Sequence, residues 1–174
     1  SIVGNANLIT KVYFPRLIIP AASVVARLVD FAVALLLLFG LMAYYGVAPT
    51  RQVLLLPFLV LLTALLAMGF GMLVAALNVR YRDVGVVLPV SMQLWMFVSP
   101  VLYPSRLVRA AWPRGYTLYA LNPMVGVVDG FRSALFGQPF DWAALAWAAA
   151  LTLFVVAGSA YFFRRVERGF ADVI

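Results

Sequence analysis

The chain has 174 residues, of which 66% are hydrophobic and 11% charged, with a formal net charge of +7 and a mean hydropathy of +1.03. A soluble domain carries about 45–50% apolar and about 25% charged residues, so this composition excludes a soluble enzyme, a disordered tail and a nucleic-acid-binding domain. The positive balance is what flanks apolar spans at a membrane.

The chain opens at Ser1 with neither Met nor a basic n-region, so it does not start as a signal peptide and is expected to lack an amino-terminal part. In the segment Asn7 to Arg16, Leu8 and Val12 share a helical face, Lys11 and Arg16 are polar, and Pro15 closes the run. That spacing predicts a short surface helix, either interfacial or docked on a partner. Four uncharged apolar runs follow: Phe31 to Val47, possible from Ala21; Val53 to Val79; Val84 to Ser105; and Trp142 to Phe163. A spanning helix needs about 20 residues, and backbone inside hydrocarbon must satisfy itself. The expectation is an all-α integral membrane protein with four transmembrane helices at 21–47, 53–79, 84–105 and 142–163. Arg27 stands one turn before Asp30 at the edge of the first run, the spacing of a structural ion pair. Ala67, Gly71 and Ala75 form a small-residue stripe that predicts close helix packing, within the chain or across a dimer.

Between the second and third runs, Asn78-Val79-Arg80-Tyr81-Arg82-Asp83 is too tight for a domain. Its arginines either hold the loop inside or form a knob for a soluble partner. The third run carries Trp95, Phe97 and Tyr103, whose rings suit packing, a membrane belt or a sugar path, and Pro89 and Pro100 predict kinks in it. Arg106 to Asp141 is the one sizeable non-spanning region. Within it, Asn122 is an N-cap, Pro123 suits the first helical position, and Gly137 with Pro139 is a stop. Met124, Val127, Val128, Phe131 and Leu135 fall on one face of that helix, with Asp129 and Arg132 away from it. It is too short to cross a bilayer and is expected at the interface or dipping into it. With the amino end in the cytoplasm, Lys11, Arg16, Arg27, Arg80, Arg82, Arg164, Arg165 and Arg168 lie inside and Arg51, Arg106, Arg109, Arg114 and Arg132 outside.

There is no cysteine and no histidine, and six carboxylates are scattered along the chain. The single lysine, Lys11, follows no glycine-rich loop. Catalytic residues, a metal site and ATP hydrolysis by this chain are therefore not expected. A membrane enzyme acting on lipid-linked sugars would need clustered carboxylates or a histidine at a membrane edge; a purely structural membrane subunit is the other alternative.

Three stretches together, Phe14-Pro15-Arg16, Leu77 to Val84, and Tyr119-Ala120-Leu121-Asn122-Pro123-Met124, with the closing Arg164 to Ile174, resemble the permease subunit of the ABC type 2 exporters. The likeness is strongest to those moving polysaccharides such as O-antigen, capsule or teichoic acid. The resemblance implies a single permease domain over 1–174 in a bacterial inner membrane, both ends cytoplasmic, working as a homodimer with two copies of an ATPase subunit that holds ATP and Mg. Family members have six spans, so the first two are expected to lie outside this chain. Carried over by position, residues 1–20 are the coupling-helix region, with Leu8, Lys11, Phe14, Pro15 and Arg16 facing the ATPase. Asn78, Arg80, Tyr81, Arg82 and Asp83 are a second contact with it. Residues 106–141 are the outer gate, with Leu121, Asn122, Pro123, Met124 and Phe131 in it. Trp95, Phe97 and Tyr103 are expected along the path of a lipid-linked glycan; a drug or lipid substrate is the alternative within the same family.

Overall fold

The computed structural model describes residues 18–81 and 83–170. The coupling residues Leu8, Lys11, Phe14, Pro15, Arg16 and Arg82 therefore lie outside the described residues. The rest is built from seven α-helices: α1 (Ile18–Tyr44), α2 (Leu56–Arg80), α3 (Val84–Val98), α4 (Ser105–Ala111), α5 (Tyr116–Ala120), α6 (Pro123–Phe136) and α7 (Trp142–Phe170). A 3-10 turn, Arg51–Leu55, leads into α2.

Helices α1 and α2 form an antiparallel hairpin. Gly46, in the left-handed region at φ 69°, ends α1 in a Schellman motif. The Val47 amide bonds the Met42 carbonyl at 2.8 Å and the Gly46 amide bonds that of Ala43 at 3.2 Å. Helices α2 and α7 run parallel and in register. Leu59 is level with Leu145, Gly69 meets Val155 and Val156, and Met72 and Ala76 pack with Phe163. Two apolar clusters result. The larger, at the end where α2 and α7 begin (the cap end), joins Met42 of α1, Leu56, Leu59 and Leu62 of α2, Val127, Ala134 and Leu135 of α6, and Leu145 and Ala148 of α7. The smaller, around Met72, Ala76 and Phe163, lies toward the opposite end, where α2 ends and α3 begins (the loop end).

Among the described residues, three helices are long and apolar enough to cross a membrane, over Ala22–Tyr44, Arg51–Asn78 and Trp142–Phe163. The segment expected as a spanning helix over 84–105 differs. Its helix, α3, stops at Val98 after 15 residues, a length of about 22 Å against about 30 Å of hydrocarbon. The reason is local. Pro100 has no amide to continue the ladder, Ser99 is extended at φ −95° and ψ 150°, and the chain turns through residues 99–103 into α4.

Two packing expectations are met in part. Of the face expected on α6, only Val127 and Leu135 are buried, with Met124, Val128 and Phe131 half-buried. Val127 and Leu135 sit in the larger cluster and Phe131 packs against it, while Gly126 and Gly130 beside them, having no side chains, let α6 come close to α7 and α2. A Cβ on Gly126 would stand 2.3 Å from the Ala144 carbonyl oxygen. In the stripe of Ala67, Gly71 and Ala75, Ala75 packs against the smaller cluster, while within this chain nothing lies within 4 Å of a Cβ built on Gly71. The close approach belongs to Gly69, one face over, at 3.0 Å from Val155.

Candidate functional site

The cap end is where the sequence breaks out of simple spans, and its local chemistry is legible residue by residue. Asn122, extended at φ −67° and ψ 118°, accepts the Met124 amide at 3.0 Å and so caps α6. Pro123 fills the next position, buried, and Gly137 closes the helix at φ 67°. The same Asn122 donates its side-chain N–H to the Ser99 hydroxyl at 3.0 Å. One residue thus starts α6 and ties it to the broken end of α3.

Arg132, one face round from the packed glycines, completes that tie. Its guanidinium donates to the carbonyl of Tyr103 and to that of Val101, each at 3.2 Å, and to the Asp129 carboxylate at 3.3 Å. Two carbonyls of the turn beyond α3 are thereby satisfied by a planar fork suited to two acceptors. Tyr103 adds its own bond, phenol to the Phe97 carbonyl at 2.8 Å. Leu121 accepts the Trp147 indole N–H at 3.1 Å, which fixes the start of α6 some way along α7.

A second anchor holds α4. Asp141 caps α7, accepting the Ala144 amide at 3.1 Å, and its other oxygen accepts Arg109 of α4 at 2.6 Å. The Arg109 guanidinium lies 4.2 Å from the centre of the Tyr116 ring, a cation–π contact. The Ala144 amide first, and Arg109 after the opposing effect of burial, hold the Asp141 carboxyl below its ordinary range. The bond to Asp141 correspondingly raises Arg109. Burial pushes the Tyr119 phenol up; its ring lies 6.5 Å from that of Tyr103 and 6.0 Å from that of Tyr116.

The expected gate residues Leu121, Asn122, Pro123, Met124 and Phe131 thus belong to one assembly, Phe131 against Phe31 of α1 with ring centres 5.7 Å apart. The three path aromatics are less close-knit. Trp95 packs edge-on against Phe70 of α2 at 5.8 Å, Phe97 is exposed on α3, and Tyr103 belongs to the turn beyond it. At the loop end, Asn78 lies close to Gly85, Arg80 is the last residue of α2, and Tyr81 is an exposed C-cap whose amide bonds Leu77. The Asp83 carbonyl accepts the amides of Val86 and Val87. These residues come together at the end opposite the cap. Arg27 and Asp30 form the expected ion pair at 3.1 Å, fully on the surface of α1.

Sequence reasoning missed Arg109, Arg132 and Asp141 as working residues. The signal was present for Asp141, which immediately precedes an apolar helix and so reads as an N-cap. For the arginines it was not, since the partners that tie them to other segments, Asp141 for Arg109 and the Tyr103 carbonyl for Arg132, are 32 and 29 residues away. Among the described residues, no group of three or more metal-ligating side chains occurs.

Apolar spanning helices joined by a tight loop at one end, and by a capped set of short helices at the other, define a polytopic membrane protein. The sequence family described as ABC-2 type transporter matches residues 6–136, and the chain belongs to that family. It is similar to the O-antigen export system permease protein RfbA of Myxococcus xanthus, 33% identical over 176 residues, which covers all of this chain and 67% of that protein. It is also similar to the protein of the same description from Klebsiella pneumoniae, 21% identical over 179 residues, covering all of this chain and 66% of the relative. The chain spans about two thirds of the length of the curated relatives it matches.

Proposed function

We propose that this chain is the greater part of a membrane permease that exports a lipid-linked, O-antigen-like polysaccharide, working as a homodimer with two copies of a separate ATPase subunit that binds ATP and Mg. The observation that carries the reading is the likeness, over the whole chain, to permeases of O-antigen export. The protein sits in the bacterial cytoplasmic membrane with both ends of this chain on the cytoplasmic side. The loop end and the segment around Leu8 to Arg16 then face the ATPase, and the cap end faces outward as the gate.

The architecture supplies a mechanical route. A push on the turn carrying Tyr81 and Asp83 acts on α2 and α3 together. Helix α2 is packed along its length on α7, and Leu59 touches α6 at Gly130. Helix α3 is bonded to α6 through Ser99, Val101 and Tyr103. Force applied at one end therefore reaches α6 by two routes. The permease performs no covalent chemistry; ATP binding by the partner shifts the populations of closed and open channel.

The test is reconstitution of the complete permease with its ATPase in proteoliposomes. Addition of ATP moves a lipid-linked glycan across the bilayer. Substitution of Phe14 or Arg80 lowers transport by an order of magnitude while ATP binding by the partner and assembly persist. Transport without ATP, or full assembly with no transport by the unaltered protein, removes the exporter reading in favour of a channel or a scaffold.

A further inference from the structure

The polar side of the cap is a cleft of about 310 Å³ walled by α4, by α6 and by the segment leading into α7. Six side chains give it its character: Arg106, Arg109 and Arg132, Asp129 and Asp141, and the amide of Gln138. It is unlike the cleft of about 390 Å³ between α1 and α2, whose walls include Val24, Leu28, Phe31, Val60 and Ala64.

Two of the three guanidiniums are fixed in place. Arg109 is held between Asp141 and the Tyr116 ring. Arg132 is held by two carbonyls and Asp129. Arg106 has no hydrogen-bond or ion-pair partner among the described residues, and Gln138 makes no described side-chain bond. A guanidinium has five N–H donors and a carboxylate about four lone-pair sites, so the described bonds leave donors and acceptors unused side by side.

That alternation decides the ligand. An apolar chain would strip water from the charged walls without compensation. An anion would meet two carboxylates. A hydroxyl both donates and accepts, and a ring bearing adjacent hydroxyls presents the same alternation as the walls. The volume is at the lower end of small-molecule sites, about 300–1,000 Å³, which suits one sugar unit and not a folded stretch of polymer.

We propose that this cleft is a carbohydrate subsite, holding a sugar unit of the glycan by its hydroxyls as the chain leaves the permease. The assignment rests on the polysaccharide reading above. It lies on residues other than Trp95, Phe97 and Tyr103.

The experiment uses the complete permease with its ATPase in lipid nanodiscs, titrated with neutral methyl glycosides of mannose, galactose and rhamnose, and separately with inorganic phosphate and glucose 1-phosphate. Binding is followed by saturation-transfer NMR. At least one neutral glycoside binds. Arg106→Gln and Gln138→Ala each weaken it about tenfold, the loss of one good polar contact, with the unfolding temperature unchanged because neither side chain holds the fold. The proposal is overturned by absence of neutral glycoside binding, by binding indifferent to both substitutions, or by binding of the phosphate compounds alone. ATP-driven glycan transport is measured on the same preparation. Normal transport beside failed glycoside binding removes the subsite and leaves the exporter, whereas absent transport by the unaltered protein removes the exporter itself.

Discussion

Arg132 and Asp141 each join pieces of chain that sequence leaves far apart. Replacing Arg132 by Gln removes a part-buried bond to the Tyr103 carbonyl and an exposed one to that of Val101, each worth about 0.5–1.5 kcal/mol at most. Arg132→Gln should lower the detergent unfolding temperature of the permease measurably, and Arg132→Lys should recover only part of the loss, because an ammonium pairs with Asp129 but lacks the fork. Asp141 yields a pH prediction. Its folded pKa is depressed, so its stabilisation is present above the ordinary carboxylate value and is lost as pH falls through the lower, folded one. Hydrogen-exchange protection of α4 should be flat from about pH 5 to 8 and decline only below about pH 4. Asp141→Asn keeps the cap, since Asn caps as well as Asp, and should remove the acid step. The Arg109 to Asp141 contact is itself partly exposed, at 57% and 33%. Its direct worth is about 0.2–1 kcal/mol, and its importance is where it holds α4.

Among elements, α6 was the most legible and α3 the least. The caps of α6, Asn122, Pro123 and Gly137, are local signals, and each is found where the sequence put it. Its packed face was read in part: Val127 and Leu135 are in the core, whereas Gly126 and Gly130, which hydrophobic periodicity passes over, pack by having no side chain. The end of α3 was misread because the apolar run continues past Pro100 while the backbone does not. Glycine contacts separate the two kinds of small residue by experiment. Gly126→Ala must displace α6 from the Ala144 carbonyl, and overpacking of that kind costs about 1–3 kcal/mol. Gly71→Ala meets open space within this chain and should be neutral or stabilising by up to about 1 kcal/mol. Unfolding of both variants in the same detergent gives the comparison; a Gly71→Ala variant that dissociates a dimer would mark the α1–α2 cleft as the contact between copies.

For the whole molecule, composition alone established the membrane setting, and three of the four expected spans match helices of spanning length. The parallel register of α2 with α7 was not legible, since nothing in one helix names its neighbour. The cleft at the cap was not legible either, because its walls come from α4, α6 and the approach to α7. Within this chain α1 buries none of its most apolar window, and α3 has no buried residue. Both surfaces are left for lipid, for the part of the relatives' length not represented here, or for a second copy. The complete permease should accordingly run as a dimer in mild detergent, checked by light scattering.

The shortness of α3 has a consequence for the bilayer itself. Where this 15-residue rod meets lipid, hydrocarbon thickness exceeds it by several ångströms, and acyl chains compress or headgroups dip to close the gap. Wherever that face borders lipid rather than protein, the bilayer beside it is correspondingly thin.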